Sequence, residues 1–154
     1  MSAAFLVCAA AAAGGVQVRF IDPQHYTDAR LDGYGATDER VLRTLERHLQ
    51  ELGGRCLDAG DTLDIQILDI DLAGQQEWWR RSGARNLRVM RDVTWPRIRL
   101  AYALRRADGE IIESRERLSD MNYLWSSAYV RTDSMELPYE RAMLSSWFSQ
   151  SFCR

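Results

Sequence analysis

The feature that most constrains the fold is a β-hairpin between residues 97 and 120. The sequence reads RIRLAYALRR, then ADG, then EIIESRERLSD, and apolar and polar residues alternate on both sides of the turn. Alternation with a period of two is typical of strands that bury one face, and Asp-Gly is a common hairpin turn. The segment therefore predicts two antiparallel strands in a sheet with one covered face.

The register of this hairpin depends on the length of its loop. A two-residue turn would place Leu104 opposite Glu113, whereas a three-residue loop with a left-handed Gly109 places Leu104 opposite Ile112. The second register buries one coherent face and is favoured, although it leaves Glu116 opposite an apolar residue. Its other face carries arginine at positions 97, 99, 105, 115 and 117, with alanine at positions 101 and 103.

A second strand is predicted over residues 62–74, TLDIQILDIDLAG, and its apolar pattern changes phase. The aliphatic residues stand at odd positions first, 63, 65 and 67, and then at even positions, 68, 70 and 72. Either both faces are buried or a bulge between Ile67 and Leu68 resets the phase. With a bulge, positions 64, 66, 69 and 71 form an acidic stripe, which would pair with the arginine stripe across strands.

The remaining elements complete the predicted fold. Residues 16–23, VQVRFIDP, have the alternation of a strand. A first helix is predicted over 37–52, with Thr37 as a candidate cap and with Gly53 and Gly54 ending it. A closing helix is predicted over 138–152 and begins at Pro138. We predict a single α+β domain over residues 16–154. It contains a mixed or antiparallel sheet of about four strands, with both helices packed on one face.

The basic residues exclude several classes of chemistry. All 20 are arginine, so the chain has no P-loop lysine, no Schiff-base lysine and no Ser–Lys pair. The formal net charge of −2 argues against a general polyanion binder such as a nucleic-acid-binding protein. No cofactor motif is present.

The N-terminal residues 1–15, MSAAFLVCAAAAAGG, resemble the end of a secretory signal peptide. The apolar run is too short to span a membrane, which takes about 20 residues. It lacks a basic start, so the alternatives are a leader that is shortened at its start and an apolar tail. We favour the leader, which predicts a periplasmic or secreted protein.

The cysteines fit the same interpretation. Removal of the leader would remove Cys8 and leave Cys56 and Cys153, an even number in an oxidising compartment. These two cysteines are a disulfide candidate, and the alternative is a pair of buried thiols.

Asp69 and Asp71 are the candidate catalytic or metal-binding carboxylates. Oxygen ligands suit Ca²⁺ or Mg²⁺, but a calcium loop needs about six ligands, and two are visible here. Ion pairing with the hairpin arginines is therefore the favoured role, with the pKa of each carboxyl lowered by its arginine. The histidines, His25 and His48, lie in no G-x-S-x-G or H-E-x-x-H motif.

The most basic segment runs from residue 80 to 99, with seven arginines against one acidic residue, and Trp78 and Trp79 precede it. Tryptophan and arginine are enriched at binding hot spots, and arginine binds phosphates and carboxylates with two parallel hydrogen bonds. The candidate binding residues are Trp78, Trp79, Arg80, Arg81, Arg97 and Arg99. The alternative is that the arginines pair with the acidic stripe and the tryptophans pack in the core.

Several stretches together resemble the bacterial family called domain of unknown function 3016. They are VRFIDPQHYTDAR, ILDIDLAG, LRVMRDVTWPRIRLAYAL, RLSDMNYL and LPYERAMLSSWF. The resemblance implies export to the bacterial envelope and no established activity. We therefore expect a non-enzymatic binding module whose partner is an envelope protein or an anionic envelope component. The alternative is a metal-dependent or acid–base hydrolase-like enzyme that uses Asp69 and Asp71.

Overall fold

The structure, a computed structural model, describes residues 14–31, 37–77, 88–126 and 135–153. The main sheet has four strands in the order β1-β2-β5-β6, and a second sheet pairs two short strands, β3 and β4. β1 runs parallel to β2, and the other pairs are antiparallel. The strands are β1 Gly15–Phe20, β2 Thr62–Asp71, β3 Gln75–Gln76, β4 Arg88–Val89, β5 Arg97–Arg105 and β6 Ile111–Ser119.

The helices are α1 Glu39–Cys56, the short α2 Tyr123–Ser126 and α3 Pro138–Phe152. α1 and α3 pack on the same face of the main sheet and form one core with it, so the predicted single α+β domain is confirmed. Burying a large apolar side chain is worth about 1.5–3 kcal/mol, so this shared core is the main source of stability. The helices contribute Val41, Leu45, Leu49, Leu52, Met143, Leu144, Trp147, Phe148 and Phe152.

The three-residue register of the hairpin between β5 and β6 is confirmed. Leu104 lies opposite Ile112, and the pairing continues without a break to the far end of both strands. Gly109 has φ 94°, and its N–H donates to the carbonyl of Arg106 at 2.9 Å. Only glycine adopts this backbone conformation without strain, so the glycine sets the loop length and hence the register.

The bulge in β2 is also confirmed. The register between β2 and β5 shifts between Ile67 and Asp69, and Ile67 and Ile70 are both fully buried. The extra residue lets aliphatic side chains before and after the bulge face the same core. It also places Asp69 and Asp71 on the opposite face, directly across from Arg99 and Arg97.

A contact with α3 explains why the charged Glu116 lies opposite the apolar Leu100, which the sequence alone did not explain. Trp147 of α3 donates its indole N–H to Glu116 Oε2 at 2.8 Å. The Trp147 ring also packs edge-on against Tyr102 and Phe152, at centroid distances of 5.9 and 5.3 Å. Glu116 thus supplies the acceptor that a buried indole N–H needs.

The prediction that Gly53 and Gly54 end the first helix was wrong, because α1 continues to Cys56. Gly53 is buried inside the helix, where a Cβ would lie 2.2 Å from Val16 Cγ2 of β1. The glycine therefore serves close packing between helix and strand. The N-terminal cap is Asp38, whose side chain accepts from Arg40 N at 2.8 Å.

A disulfide joins Cys56 at the end of α1 to Cys153 just after α3, with the two Cα atoms 4.6 Å apart. The bond ties together the C-terminal ends of the two main helices. In the part of the chain that the structure describes, no helix is long and apolar enough to cross a membrane.

Candidate functional site

The face of the main sheet opposite the two helices, here called the open face, is polar and accessible. It carries six arginines and four acidic residues, a formal charge of +2 in a chain of −2. Its arginines are Arg19, Arg97, Arg99, Arg105, Arg115 and Arg117; its acidic residues are Asp64, Asp69, Asp71 and Glu113. Neither α1 nor α3 lies on this side, because both helices pack against the core on the other side.

The two aspartates of β2 have different partners on this face. Asp71 Oδ2 lies 3.2 Å from Arg97 Nη1, whereas Asp69 Oδ2 lies 3.8 Å from Arg99 Nε. Asp69 instead accepts two closer hydrogen bonds, from Thr27 N at 2.7 Å and from Thr27 Oγ1 at 2.8 Å. Asp69 therefore anchors the loop before α1 to β2, and its ion pair with Arg99 is secondary.

The expectation that arginine lowers the pKa of both carboxyls is wrong for Asp71. Burial raises the pKa of Asp71, Arg97 lowers it by less, and the nearby charges of Asp28 and Asp69 raise it further. The Arg97 side chain is 43% exposed, so water screens its charge while the carboxylate itself loses hydration.

The turn that follows Asp71 is held from two directions. Arg88 of β4 donates to the carbonyls of Ala73 and Gly74 at 3.0 and 2.9 Å, and it pairs with Asp28 at 2.8 Å. From the core side, Glu140 of α3 accepts from Ala73 N at 2.6 Å, and burial raises the pKa of the Glu140 carboxyl. The turn and the Asp28 loop are therefore joined by hydrogen bonds into one corner.

That corner borders a depression of about 390 Å³ between the Asp28 loop, the end of β2 and the start of β5. Its wall includes Asp71, Trp95 and Arg97, and the Arg97 guanidinium lies 4.6 Å from the centre of the Trp95 ring. Arg97 is thus engaged by both a carboxylate and an indole, which leaves it less available to a ligand than its neighbours on the sheet.

The middle of the open face is a trough. Ala101 and Ala103 contribute only methyl groups there, so the longer side chains of neighbouring strands surround a depression of about 480 Å³. A second depression of about 310 Å³ lies beside it, toward Asp69. Arg19, Arg105 and Arg115 line the first depression, and Arg97, Arg99 and Arg117 line the second.

Two arginines of this face lie directly opposite each other, Arg99 on β5 and Arg117 on β6. Like charges in this position destabilise a sheet. Within the described ranges, no ion pair joins Arg105, Arg115 or Arg117 to another residue. The open face therefore has more positive charge than its own carboxylates neutralise.

The structure brings together four of the residues that the sequence proposed for a site, Arg97, Arg99, Asp69 and Asp71. The other candidates, Trp78, Trp79, Arg80 and Arg81, lie outside the described residues. Sequence reasoning missed Thr27 and Glu140 as partners of the DIDLAG segment, because both are distant in sequence and match no local motif. Arg88 was counted only as part of the basic segment.

Neither histidine forms a nucleophilic pair with a serine in the part of the chain that the structure describes. His48 Nε2 lies 2.9 Å from Ser145 Oγ and 3.0 Å from the carbonyl oxygen of Arg141. A carbonyl only accepts, so Nε2 carries the proton and cannot act as a base toward Ser145. Burial lowers the pKa of His48, so the imidazole is neutral and bridges α1 to α3. His25 is exposed beside Asp22.

The described residues contain no group of three or more His, Cys, Asp or Glu side chains that could hold a metal ion. Asp28, Asp69 and Asp71 are near one another, but their strongest contacts are with Arg88, Thr27 and Arg97 respectively. Each carboxylate thus already has donors in the fold.

Comparison with known proteins identifies the family. The sequence profile of the family described as protein of unknown function (DUF3016) matches residues 14–150, nearly the whole chain, and the chain belongs to this family. No curated protein matches the chain.

Proposed function

We propose that this protein is a non-enzymatic binding module that holds an anionic ligand on the open face of its sheet. The observation that carries the proposal is the trough over Ala101 and Ala103, which Arg19, Arg105 and Arg115 line together with two carboxylates, on a face that neither main helix covers. The ligand class is an envelope component with several phosphate or carboxylate groups.

The arrangement of the trough suits an extended ligand. Arg99 and Arg105 lie six residues apart on β5, which is about 20 Å along a strand. Arg19 and Arg115 lie on opposite sides between them, on β1 and β6. Guanidinium groups bind phosphate and carboxylate through paired N–H donors, and the small alanine side chains let a ligand approach the sheet closely.

The energetics require several arginines to act together. A single exposed ion pair contributes about 0–1 kcal/mol and is screened by salt, so one arginine on a flat face binds nothing by itself. Three to five contacts along the trough and the adjoining depression would give a measurable and salt-dependent affinity. Asp64 and Glu113 at the rim restrict the site to ligands whose charges fit between them.

The environments of the carboxylates support binding over hydrolysis. The raised pKa of Asp71 favours an acid–base enzyme, since a protonated carboxyl can act as a general acid. However, Asp71 forms an ion pair with Arg97, and Asp69 accepts hydrogen bonds from Thr27. A hydrolase would need both carboxylates turned toward a substrate.

We further infer that the module works in the bacterial envelope or outside the cell. The disulfide between Cys56 and Cys153 supports this location, since such bonds persist in oxidising compartments. The alanine-rich run in residues 3–13 agrees with it as part of an export signal.

The test is binding of two short probes, tripolyphosphate and a glutamate hexapeptide, measured by titration calorimetry at low and physiological salt. The variant replaces Arg19, Arg99 and Arg105 together with alanine. We expect the better probe to bind at least about tenfold more weakly to this variant, since each lost ion pair contributes up to about 1 kcal/mol. The two probes distinguish a phosphate ligand from a carboxylate ligand.

The matched control replaces Arg43, Arg47 and Arg55 with alanine, which removes the same charge from the exposed side of α1. This control should bind like the wild type. If both variants lose affinity equally, the binding is non-specific, and if neither probe binds the wild type at low salt, the proposed function is wrong.

A further inference from the structure

β6 forms one edge of the main sheet, and its outer side is unusually regular for an edge strand. It pairs with β5 over nine consecutive positions without a bulge, and it contains no proline. None of the described residues pairs with its outer side. Ile111 and Ile112 at its start are 58% and 37% exposed. Edge strands of this kind offer a full row of N–H and C=O groups to another strand.

The turn of the hairpin determines which residues offer those groups. Arg106 N donates to the carbonyl of Glu110 at 2.8 Å, so this pair is hydrogen-bonded. In an antiparallel ladder, hydrogen-bonded pairs alternate, and the even-numbered residues of β6 therefore face β5. The odd-numbered residues direct their N–H and C=O outward, from Ile111 to Ser119.

We propose that two copies of this chain associate through β6, edge to edge and antiparallel, about a two-fold axis at Arg115. In this register Ile111 pairs with Ser119 of the second copy, and Glu113 pairs with Arg117. All these positions are odd, so every pair can exchange both backbone hydrogen bonds. Pairing odd with odd also keeps the open faces of the two sheets on the same side.

The side chains of β6 favour this register. Glu113 of each copy lies opposite Arg117 of the other copy, which gives two ion pairs across the axis. Neither residue has an ion pair with another described residue of its own chain. On the core side, Ile112 meets Leu118 twice, so that the exposed Ile112 gains an apolar neighbour. A shift by two residues would place Ile112 opposite Glu116 and shorten the ladder.

One contact in this register is unfavourable, because Arg115 meets its own symmetry mate at the axis. This makes the association reversible, and it also makes the register testable at one position. The resulting assembly is a continuous sheet of eight strands with two troughs on one face. The proposal is independent of the proposed function, and it is tested without any added anion.

The first experiment is a charge exchange followed by sedimentation equilibrium. Glu113→Arg and Arg117→Glu are each expected to weaken the dimer at least about tenfold, whereas the combined variant restores it to within about threefold. Both side chains are exposed, and thermal melting of each variant verifies that it is folded. A wild type that remains monomeric at about 500 μM, or a combined variant no more dimeric than the single ones, would overturn the proposal.

The second experiment identifies the register. The Cα atoms of a hydrogen-bonded antiparallel pair lie about 5.5 Å apart, which a disulfide can bridge. Arg115→Cys is therefore expected to give a disulfide-linked dimer on mild oxidation, whereas Arg99→Cys on the neighbouring strand is not. Cross-linking of Arg99→Cys with no cross-linking of Arg115→Cys would exclude this interface.

Discussion

Asp69 and Asp71 lie two residues apart on one strand, yet they have different contacts and different structural roles. Asp69 accepts two hydrogen bonds from Thr27 and so holds the loop before α1. Asp71 makes one partly buried ion pair, and its pKa is raised because burial outweighs the effect of Arg97. The contribution of Asp69 to stability should therefore exceed that of Asp71.

We expect Asp69→Asn combined with Asp71→Asn to lower the free energy of unfolding by about 1 to 3 kcal/mol. Most of the loss should come from Asp69, since an amide offers Thr27 only one acceptor oxygen. Urea unfolding of the double and single variants measures this, with Asp64→Asn on the same strand and face as the control.

The same variants test the metal hypothesis. If the aspartates are structural, calcium, magnesium or a chelator will leave the melting temperature of the wild type unchanged. A wild type that melts higher with a divalent ion, beside a double variant that does not respond, would establish a metal site at Asp69 and Asp71.

Among the described acidic residues with a shifted pKa, Glu140 is the most deeply buried. Its side chain is 2% exposed, and burial raises the pKa of its carboxyl above the ordinary value of 4.5. The folded chain therefore binds this proton more tightly than the unfolded chain does. Stability from this group is greatest at low pH and falls as the pH rises above about 4.5 toward the raised pKa of the folded state.

Replacing Glu140 with Gln should remove this dependence, because glutamine does not titrate and its oxygen can still accept from Ala73 N. The free energy of unfolding of the wild type, minus that of the variant, should decrease with pH by about 1.4 kcal/mol for each unit by which the pKa is raised. Urea unfolding at several pH values measures this difference. A difference that stays constant with pH would contradict it; Glu39→Gln, at an exposed site, is the control.

At the scale of elements, the two main helices are tied together at one end. The disulfide between Cys56 and Cys153 joins their C-terminal ends, and His48 bridges them nearer the middle through Arg141 and Ser145. The cross-link spans 97 positions in sequence, so it restricts most of the unfolded chain.

We expect Cys56→Ser with Cys153→Ser to lower the free energy of unfolding by up to about 4 to 5 kcal/mol, the loop-entropy value for so long a loop. Denaturant unfolding of the oxidised wild type and of the double serine variant provides the measurement. A variant as stable as the wild type would show that the cross-link adds nothing. Mass measurement after alkylation determines whether the native protein carries the bond.

At the scale of the whole molecule, the fold separates a helix-covered face from an open face. β1 begins at Gly15, and Gly15 N donates to the carbonyl of Asp61 at 3.1 Å. Removal of the residues before Gly14 would therefore leave every described strand complete.

We accordingly expect the native protein to begin near Gly14 or Val16. N-terminal sequencing of protein purified from envelope and culture fractions tests this, with a known cytosolic protein as the fractionation control. An intact Met1 in the cytosolic fraction would contradict export and, with it, the proposed location.

The sequence by itself determined the four strands of the main sheet and the register of the hairpin, because these depend on local alternation and on a glycine in the turn. It offered the bulge as one of two alternatives, and it did not predict the short strand β3. It also predicted α3 from Pro138 to Phe152 and placed the arginine and acidic stripes on one face. Such features follow from the two-residue period of a strand and from short-range turn geometry.

Only the tertiary structure decided what those side chains contact. Thr27 reaches Asp69 from 42 positions away, Glu140 reaches Ala73 from 67, and Gly53 lies inside α1, where the absence of a Cβ leaves room for Val16. The direction of the Asp71 pKa was likewise unpredictable, because burial depends on elements that fold over the site. The local sequence determines whether a segment alternates like a strand or repeats like a helix. The contact partners of a side chain and its loss of hydration depend instead on which distant elements pack against it.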